Sequence, residues 1–193
     1  MAAGGSSGRF STATRGARFG KRPATNRKPK TVGDVYANVV KLKAELLHQA
    51  RLLIQRQGNI LLELQRDQMY AGLDARGQYI TPRYSQDSWF KSKESAARYA
   101  AWKASLRQRR PAPYLPPRPE DVPNLIITGT LIYDRLQLRV NPWAVRVDLP
   151  GFDVTGKYGP VLGFSPVVLD YYRRRYFWPQ YNKIMRQLID KNI

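Results

Sequence analysis

Apolar residues recur along this chain at two different periods, and each period predicts its own kind of element. From Val35 the period is helical: Val39, Leu42, Leu46, Leu53, Ile60 and Leu64 follow in steps of mostly three and four, with Ala50 and Gln57 between them. Thr31 and Asp34 stand ahead of this run at the spacing of a capping box, so the pattern predicts one long amphipathic helix with Gly58 as its point of disturbance. Continued to Met69, such a helix would be roughly 55 Å long, more than a core of this size covers, so part of it must meet another element or another subunit. A second helical stretch, Ser92 to Leu106, is rich in Ala and places Tyr99, Trp102 and Leu106 on one face. A third starts at Ser165 and Pro166, with Ser as the cap and Pro in the first turn, and runs through Val168, Leu169 and Tyr172. Pro179 is expected to kink or restart it before Tyr181, Ile184, Met185, Leu188 and Ile189 resume an apolar stripe.

The other period is two. Leu136, Leu138 and Val140 alternate with Gln137 and Arg139, and Val145 and Val147 alternate with Arg146 and Asp148. Asn141, Pro142 and Trp143 between the two runs are turn residues, so a hairpin of two half-buried strands is predicted. Upstream of it, Gly129 sits between Thr128 and Thr130 and reads as a backbone pivot. Gly72, Gly77 and Pro82 punctuate a turn-rich passage after the first helix. The Pro-rich run from Arg107 to Pro119 reads as an extended linker, in which Leu115-Pro116-Pro117-Arg118-Pro119 is either a spacer or a docking motif for an aromatic groove. The predicted fold class is α+β. Residues 1–33 form an extended basic arm and 34–106 the helical part of the core domain; 107–122 form the linker, and 123–193 the hairpin and C-terminal helix of the same domain.

Composition narrows what such a domain does. With 193 residues and 42% apolar content the chain can build a modest core, and without cysteine it has neither disulfides nor thiolate metal sites. No run approaches the length of a membrane span. The formal net charge of +19 points to an anionic partner, either nucleic acid or an acidic face of a neighbour. The first 33 residues hold Arg9, Arg15, Arg18, Lys21, Arg22, Arg27, Lys28 and Lys30 and no acid, with too few large apolar residues to offset the entropy of ordering. Such an arm fits three roles: contact with nucleic acid, a grip on neighbouring subunits, or an organellar transit peptide. His48, the one histidine, has no partner near it in sequence, and Glu63, Asp67 and Asp74 are expected at the solvent side of a helix end. With no phosphate-binding loop and no nucleophile elbow, the chain is expected to be non-enzymatic and without cofactor or metal. Arg173, Arg174 and Arg175, set among Tyr171, Tyr172, Tyr176, Phe177 and Trp178, suit either stacking on single-stranded nucleic acid or a protein interface.

The order of these features carries a resemblance. A long helix is followed by Gln-x-x-Gln-Met-x-x-Gly-x-Asp-x-x-Gly-x-x-Ile (Gln65 to Ile80), a Lys-rich aromatic helix, and Pro-Asn-Leu-x-x-Thr-Gly-x-Leu (Pro123 to Leu131). This resembles the phage virion-morphogenesis or tail-completion proteins of the head-to-tail junction, and Tyr158 to Gly163 with Phe164 is similar to the stretch that precedes the C-terminal helix in that family. The basic arm and the Pro-rich insert depart from the family pattern. The resemblance implies a structural virion protein, assembled as a homo-oligomeric ring in the host cytoplasm. Its expected partners are portal, neck or tail proteins and, through the arm, packaged DNA. A ribosomal or organellar-ribosomal RNA-binding protein would share the arm, the Pro-rich extension and the charge.

Overall fold

The computed structural model describes residues 31–106, 109–125, 135–141 and 144–192. Over these residues the fold is α+β. Helices α1 (Val32–Arg56), α2 (Gly58–Tyr70) and α3 (Lys93–Ser105) precede an antiparallel pair of strands, β1 (Gln137–Val140) and β2 (Val145–Asp148). A single helical turn, α4 (Thr155–Tyr158), leads to α5 (Pro166–Tyr172), which continues through a π-helical turn (Arg173–Phe177) into α6 (Trp178–Asn192).

The capping box forms as the sequence predicts. The Asp34 amide donates to the Thr31 hydroxyl (3.2 Å) and the Thr31 amide to the Asp34 carboxylate (2.9 Å), which satisfies amides that no helical carbonyl can reach. The long helix does not continue to Met69. It breaks at Gln57, where φ is −92° and ψ 12°, one residue before Gly58. The reason is tertiary: the buried Gln57 side chain accepts from the Tyr172 hydroxyl (2.7 Å) and donates to the Tyr176 carbonyl (3.1 Å). Further out, the Tyr181 hydroxyl reaches the Leu46 carbonyl (3.4 Å). As the chain advances from Tyr176 to Tyr181, its partners retreat from Gln57 to Leu46, so α6 packs antiparallel on α1.

Pro179 was expected to kink or restart the last helix, and α-helical geometry does restart at Trp178, after the π-helical turn. The Trp178 amide bonds to the Arg173 carbonyl five residues back, so the turn ahead of Pro179 is wider than an α-turn. A proline has no amide to donate and its ring crowds the preceding turn; the extra residue makes room, and the helix continues. At the start of α5, Pro166 occupies the first turn as expected, but the Ser165 hydroxyl does not cap it. The Ser165 amide instead donates to the Gln68 side-chain oxygen (2.7 Å).

That bond belongs to a buried polar joint. Gln68 also donates to the carbonyls of Gly163 (2.8 Å) and Asp74 (3.1 Å), and Gln65 donates to the carbonyl of Val161 (3.1 Å). Asp74 holds the glycine-rich turn by accepting from the amides of Arg76 and Gln78, both at 2.9 Å. Around the joint, Leu61, Leu64, Ala71, Leu73, Leu115, Val168 and Tyr172 form one apolar cluster, and Met69, Leu136, Val147 and Leu149 form another under the hairpin. The hairpin pairs Gln137 with Asp148 and Val140 with Val145, in the register its alternation predicts. The Asn141 side chain closes its turn by accepting from the Ala144 amide (2.6 Å).

The Pro-rich run is not an idle spacer. Leu115 is buried in the main cluster, and the Tyr114 ring stacks on that of Tyr171, with centroids 3.9 Å apart. Arg109 bonds to Glu63 and Asp67, both at 2.7 Å, so the run is a strap laid across α2 and α5. The strap ends at Val122 and Pro123, against which Gly72 is tightly placed. Gly72 has φ +71°, and a Cβ built there would lie 2.6 Å from a Val122 methyl and 3.0 Å from the Pro123 carbonyl oxygen. Gly151 has a similar φ of +82° but nothing within 4 Å of its Cβ position. Gly151→Ala should therefore cost only the left-handed backbone penalty of about 1 kcal/mol, and Gly72→Ala at least twice that, since it adds a backbone collision. Urea denaturation of the two variants checks the difference, and equal losses would contradict the close approach at Gly72.

Candidate interaction surfaces

The arginine and aromatic cluster of the last helix divides in two. Arg173, Arg174 and Arg175 are exposed, whereas Tyr172 is buried and Tyr171, Tyr176 and Phe177 are half-buried. Tyr171 stacks on Tyr114, and Phe177 stacks on Tyr181 with centroids 5.1 Å apart. Burial pushes the Tyr172 hydroxyl up to about 12, and it stays protonated as the donor to Gln57. Of these five aromatic residues only Trp178 is exposed, at 46%, and its ring meets those of Phe177 and Tyr181 edge-on. Arg174 pairs with Asp170 (2.9 Å) on the open surface, where such a pair contributes little. The aromatic residues at this site therefore serve mainly as core, and the guanidinium groups form its solvent face.

Of the carboxylates expected on the solvent side of a helix end, Glu63 is exposed as expected, whereas Asp67 is half-buried and Asp74 is buried. Glu63 and Asp67 hold the strap through Arg109, and Glu63 also pairs with Arg66. Partial burial would raise the Glu63 pKa, but the two arginines outweigh it and lower the value. The Tyr114 hydroxyl donates to Asp67 (2.9 Å), and burial together with that carboxylate raises its pKa far above the phenol range. His48 lies exposed on α1. Among the described residues no group of three or more His, Asp or Glu side chains is arranged to hold a metal ion.

Two surfaces stand out instead. On α1, Val32, Val35, Tyr36, Val39 and Val40 follow the i, i+3, i+4, i+7, i+8 spacing that a helix normally turns toward a core. Their exposures run from 49% to 88%, and Leu47 farther along is 60% exposed. The half-buried Leu42 and Leu46 show that α6 covers part of the apolar face; the remainder forms an open stripe toward the tip of the helix. Among the described residues no helix is long and apolar enough to cross a membrane.

The second surface is an aromatic groove of about 340 Å³ formed by the Tyr84 turn, α3 and α4. The Ser92 and Ser95 box starts α3 at the predicted place, and Tyr99 and Trp102 lie on one face as expected, their rings in contact. Ala96, Ala100 and Lys103 are the buried positions of α3; the small side chains of the two alanines let the helix approach Tyr84, and Trp102 is left 47% exposed. Trp89, 71% exposed, meets Phe90 edge-on at 4.8 Å, and Tyr99 links both to Trp102 at 5.4 Å. Lys157 of α4 pairs with the buried Asp87 at 2.7 Å and closes one end. That lysine holds the Asp87 pKa below the usual carboxylate value. The sequence reading did not single out Trp89 and Phe90; the available signal was the crowding of Tyr84, Trp89, Phe90, Tyr99 and Trp102 into one short stretch.

The basic arm groups Arg9, Arg15, Arg18, Lys21, Arg22, Arg27, Lys28 and Lys30 lie outside the described residues, as do the predicted pivot Gly129 and the turn residues Pro142 and Trp143. Comparison with protein-family models, with curated proteins and with solved structures gives no match to this chain.

Beneath the groove, Lys103 is 6% exposed, and its ammonium lies over the rings of Tyr84 (5.5 Å) and Tyr99 (5.9 Å). Burial, with a smaller contribution from the charge of Arg118, lowers its pKa to about 8 from 10.5. Below pH 8 the lysine is protonated in both folded and unfolded chains and adds no pH dependence. Between about pH 8 and 10.5 the unfolded chain holds more protons, so this group makes stability rise with pH. Tyr84 and Tyr99, whose pKa values burial raises, oppose it above pH 10, where the unfolded tyrosines ionise. The melting temperature should therefore gain less between pH 8 and 9.5 in Lys103→Met than in the natural protein, as read by thermal denaturation at both pH values. Equal gains would mean that Lys103 is not held deprotonated in the fold.

Proposed function

We propose that this protein is a non-enzymatic structural component of a phage neck or tail, of the tail-completion or head-to-tail connector kind, that assembles through its own copies into a ring. One observation carries the reading. The tip of α1 displays an apolar stripe with core-facing spacing that nothing else in the described chain covers. A monomer gains nothing from such a stripe, whereas an assembly buries it. The motif order from Gln65 to Leu131 that resembles the tail-completion family supports the same assignment. A closed ring satisfies the geometry, because a surface that meets a different surface on the next copy makes a ring when the rotation closes. Portal, neck or tail proteins are the expected neighbours.

Two measurements test the reading. Imaging of the native particle should place several copies in a ring at the head-to-tail junction; a single copy embedded in RNA would overturn it in favour of a ribosomal role. The arm is read as an accessory that contacts packaged DNA without base specificity. The full chain should bind duplex DNA, and the arm should contribute no more than about −7 to the log–log salt slope, the value if all eight of its basic groups met phosphates. Removing residues 1–30 should reduce that slope and leave the melting temperature nearly unchanged. A truncation that loses its oligomers and keeps its DNA affinity would reassign the arm to subunit contacts.

A further inference from the structure

The hairpin divides its side chains between two faces. Leu136, Leu138 and Val147 pack with Met69 on the inner one. The outer face carries Gln137, Arg139, Arg146 and Asp148, with exposed Arg135 just ahead of β1 and no apolar residue among them. The register sets Arg139 directly opposite Arg146. Like charges in that position repel, since the Cβ atoms of an opposed pair stand only about 5 Å apart. Asp148 offsets part of the repulsion: it is the next residue on that face of β2 and diagonal to Arg139, and its two oxygens meet the Nε of Arg139 (2.8 Å) and of Arg146 (3.0 Å). One carboxylate thus serves two guanidinium groups, whose Nη atoms have no partner among the described residues. We propose that this face is a contact site for the phosphate backbone of duplex DNA, gripped by the free Nη groups of Arg139 and Arg146. The inference rests on the DNA-contact part of the reading above and deepens it.

The chemistry of the face favours phosphate over a protein partner. A protein interface is built around an apolar or aromatic centre, which this face lacks. Arginine and polar side chains on phosphate oxygens, by contrast, make up the larger part of protein–DNA contacts. A phosphodiester has two unbridged oxygens, so it can accept from both guanidinium groups at once, and the planar fork of arginine suits it. The ribbon also fits: strands about 4.8 Å apart are narrow enough to enter a major groove about 12 Å wide. Asp148 is then a positioning residue. By holding both Nε atoms it fixes the direction of the Nη groups before the phosphate arrives, so less side-chain freedom is lost on binding. The arginines are 67% and 78% exposed, which leaves the site open to a large ligand.

Duplex DNA binding by the full chain, measured over a range of salt concentrations, gives the test. Arg139→Gln with Arg146→Gln should make the log–log salt slope shallower by about 1 to 2, since each phosphate contact contributes about 0.9. Lys183→Gln with Arg186→Gln removes the same charge from the exposed side of α6 and should leave the slope unchanged. All four side chains are exposed, so both pairs should keep the melting temperature of the natural chain. If the hairpin pair lowers it, Arg146→Gln alone, which leaves Arg139 on Asp148, replaces that pair and should change the slope by about 1. Equal changes in the hairpin and α6 pairs would mean that only net charge counts, and an unchanged slope in the hairpin pair would put the phosphates elsewhere. Either result overturns the site and leaves the contact of the arm with DNA in place, whereas a natural chain that does not bind duplex DNA removes both. Polyglutamate is the second probe: if the hairpin pair weakens its binding as strongly as that of DNA, the face takes any acidic polymer and the phosphate assignment fails.

Discussion

The amide of Gln68 is the joint that fixes the rest of the molecule. It is fully buried, and a buried amide is tolerated only where its donors and its acceptor are satisfied. Its three hydrogen bonds reach the turn after α2, the loop at Gly163 and Ser165, the residue ahead of α5, at once. Those three segments must therefore assemble together. Any arrangement that places two of them and omits the third leaves a buried polar group unpaired, at a cost of about 1 to 3 kcal/mol. Once α5 is set, the helix that continues from it has its direction fixed. The π-helical turn carries it past Pro179 onto α1, where Gln57 and Leu46 receive it. The Gln-x-x-Gln motif is in this sense architectural: its two glutamines hold the loop in front of α5.

The sequence revealed elements better than the contacts between them. The box of Thr31 and Asp34, the helix start at Ser92 and the alternation from Leu136 to Val147 are local signals, complete within a few residues, and each element begins or pairs where its signal predicts. Three features were hidden because their causes lie far away along the chain. The break at Gln57 depends on Tyr172 and Tyr176, which nothing near Gly58 announces. The strap depends on Arg109 reaching carboxylates on α2, so a Pro-rich run that looked like a spacer became a packed element. On α3 the spacing placed Tyr99 and Trp102 on one face without showing how deep that face lies, and close packing buried Ala96 and Ala100. A small side chain admits a neighbouring ring where another ring cannot fit. The groove followed from that choice, since rings excluded from the helix contact were left to line its edge.

The candidate sites illustrate the same limit. Clustered arginines and aromatics at Arg173 to Trp178 attracted attention by composition, yet rings spread around a helix must mostly be core, since only one side faces solvent. The α1 stripe was legible as an excess of apolar helix face. Identifying the open part required knowing how far α6 reaches. Nothing in a periodic pattern distinguishes a face that meets its own chain from one that meets another; only the exposures of Val32, Val35 and Tyr36 do that.

Charge sets the conditions under which such surfaces can meet. Eight of the 33 basic groups precede Thr31 and no acid does, so 25 basic groups face 14 acids over the remainder. Several of those acids, among them Glu63, Asp67, Asp87 and Asp148, are already committed to internal pairs. Two free copies therefore repel each other before their apolar patches touch, and the repulsion extends about 8 Å at physiological ionic strength. If copies associate as proposed, burial of the stripe must exceed that repulsion, so association is expected to be weak at low salt and to strengthen as salt rises. A polyanion that neutralises the arms acts in the same direction without any change in the contacts themselves. In the proposed assembly the excess charge would couple association to the presence of an anionic partner, while the buried glutamine joint lies within a single copy and depends on no partner.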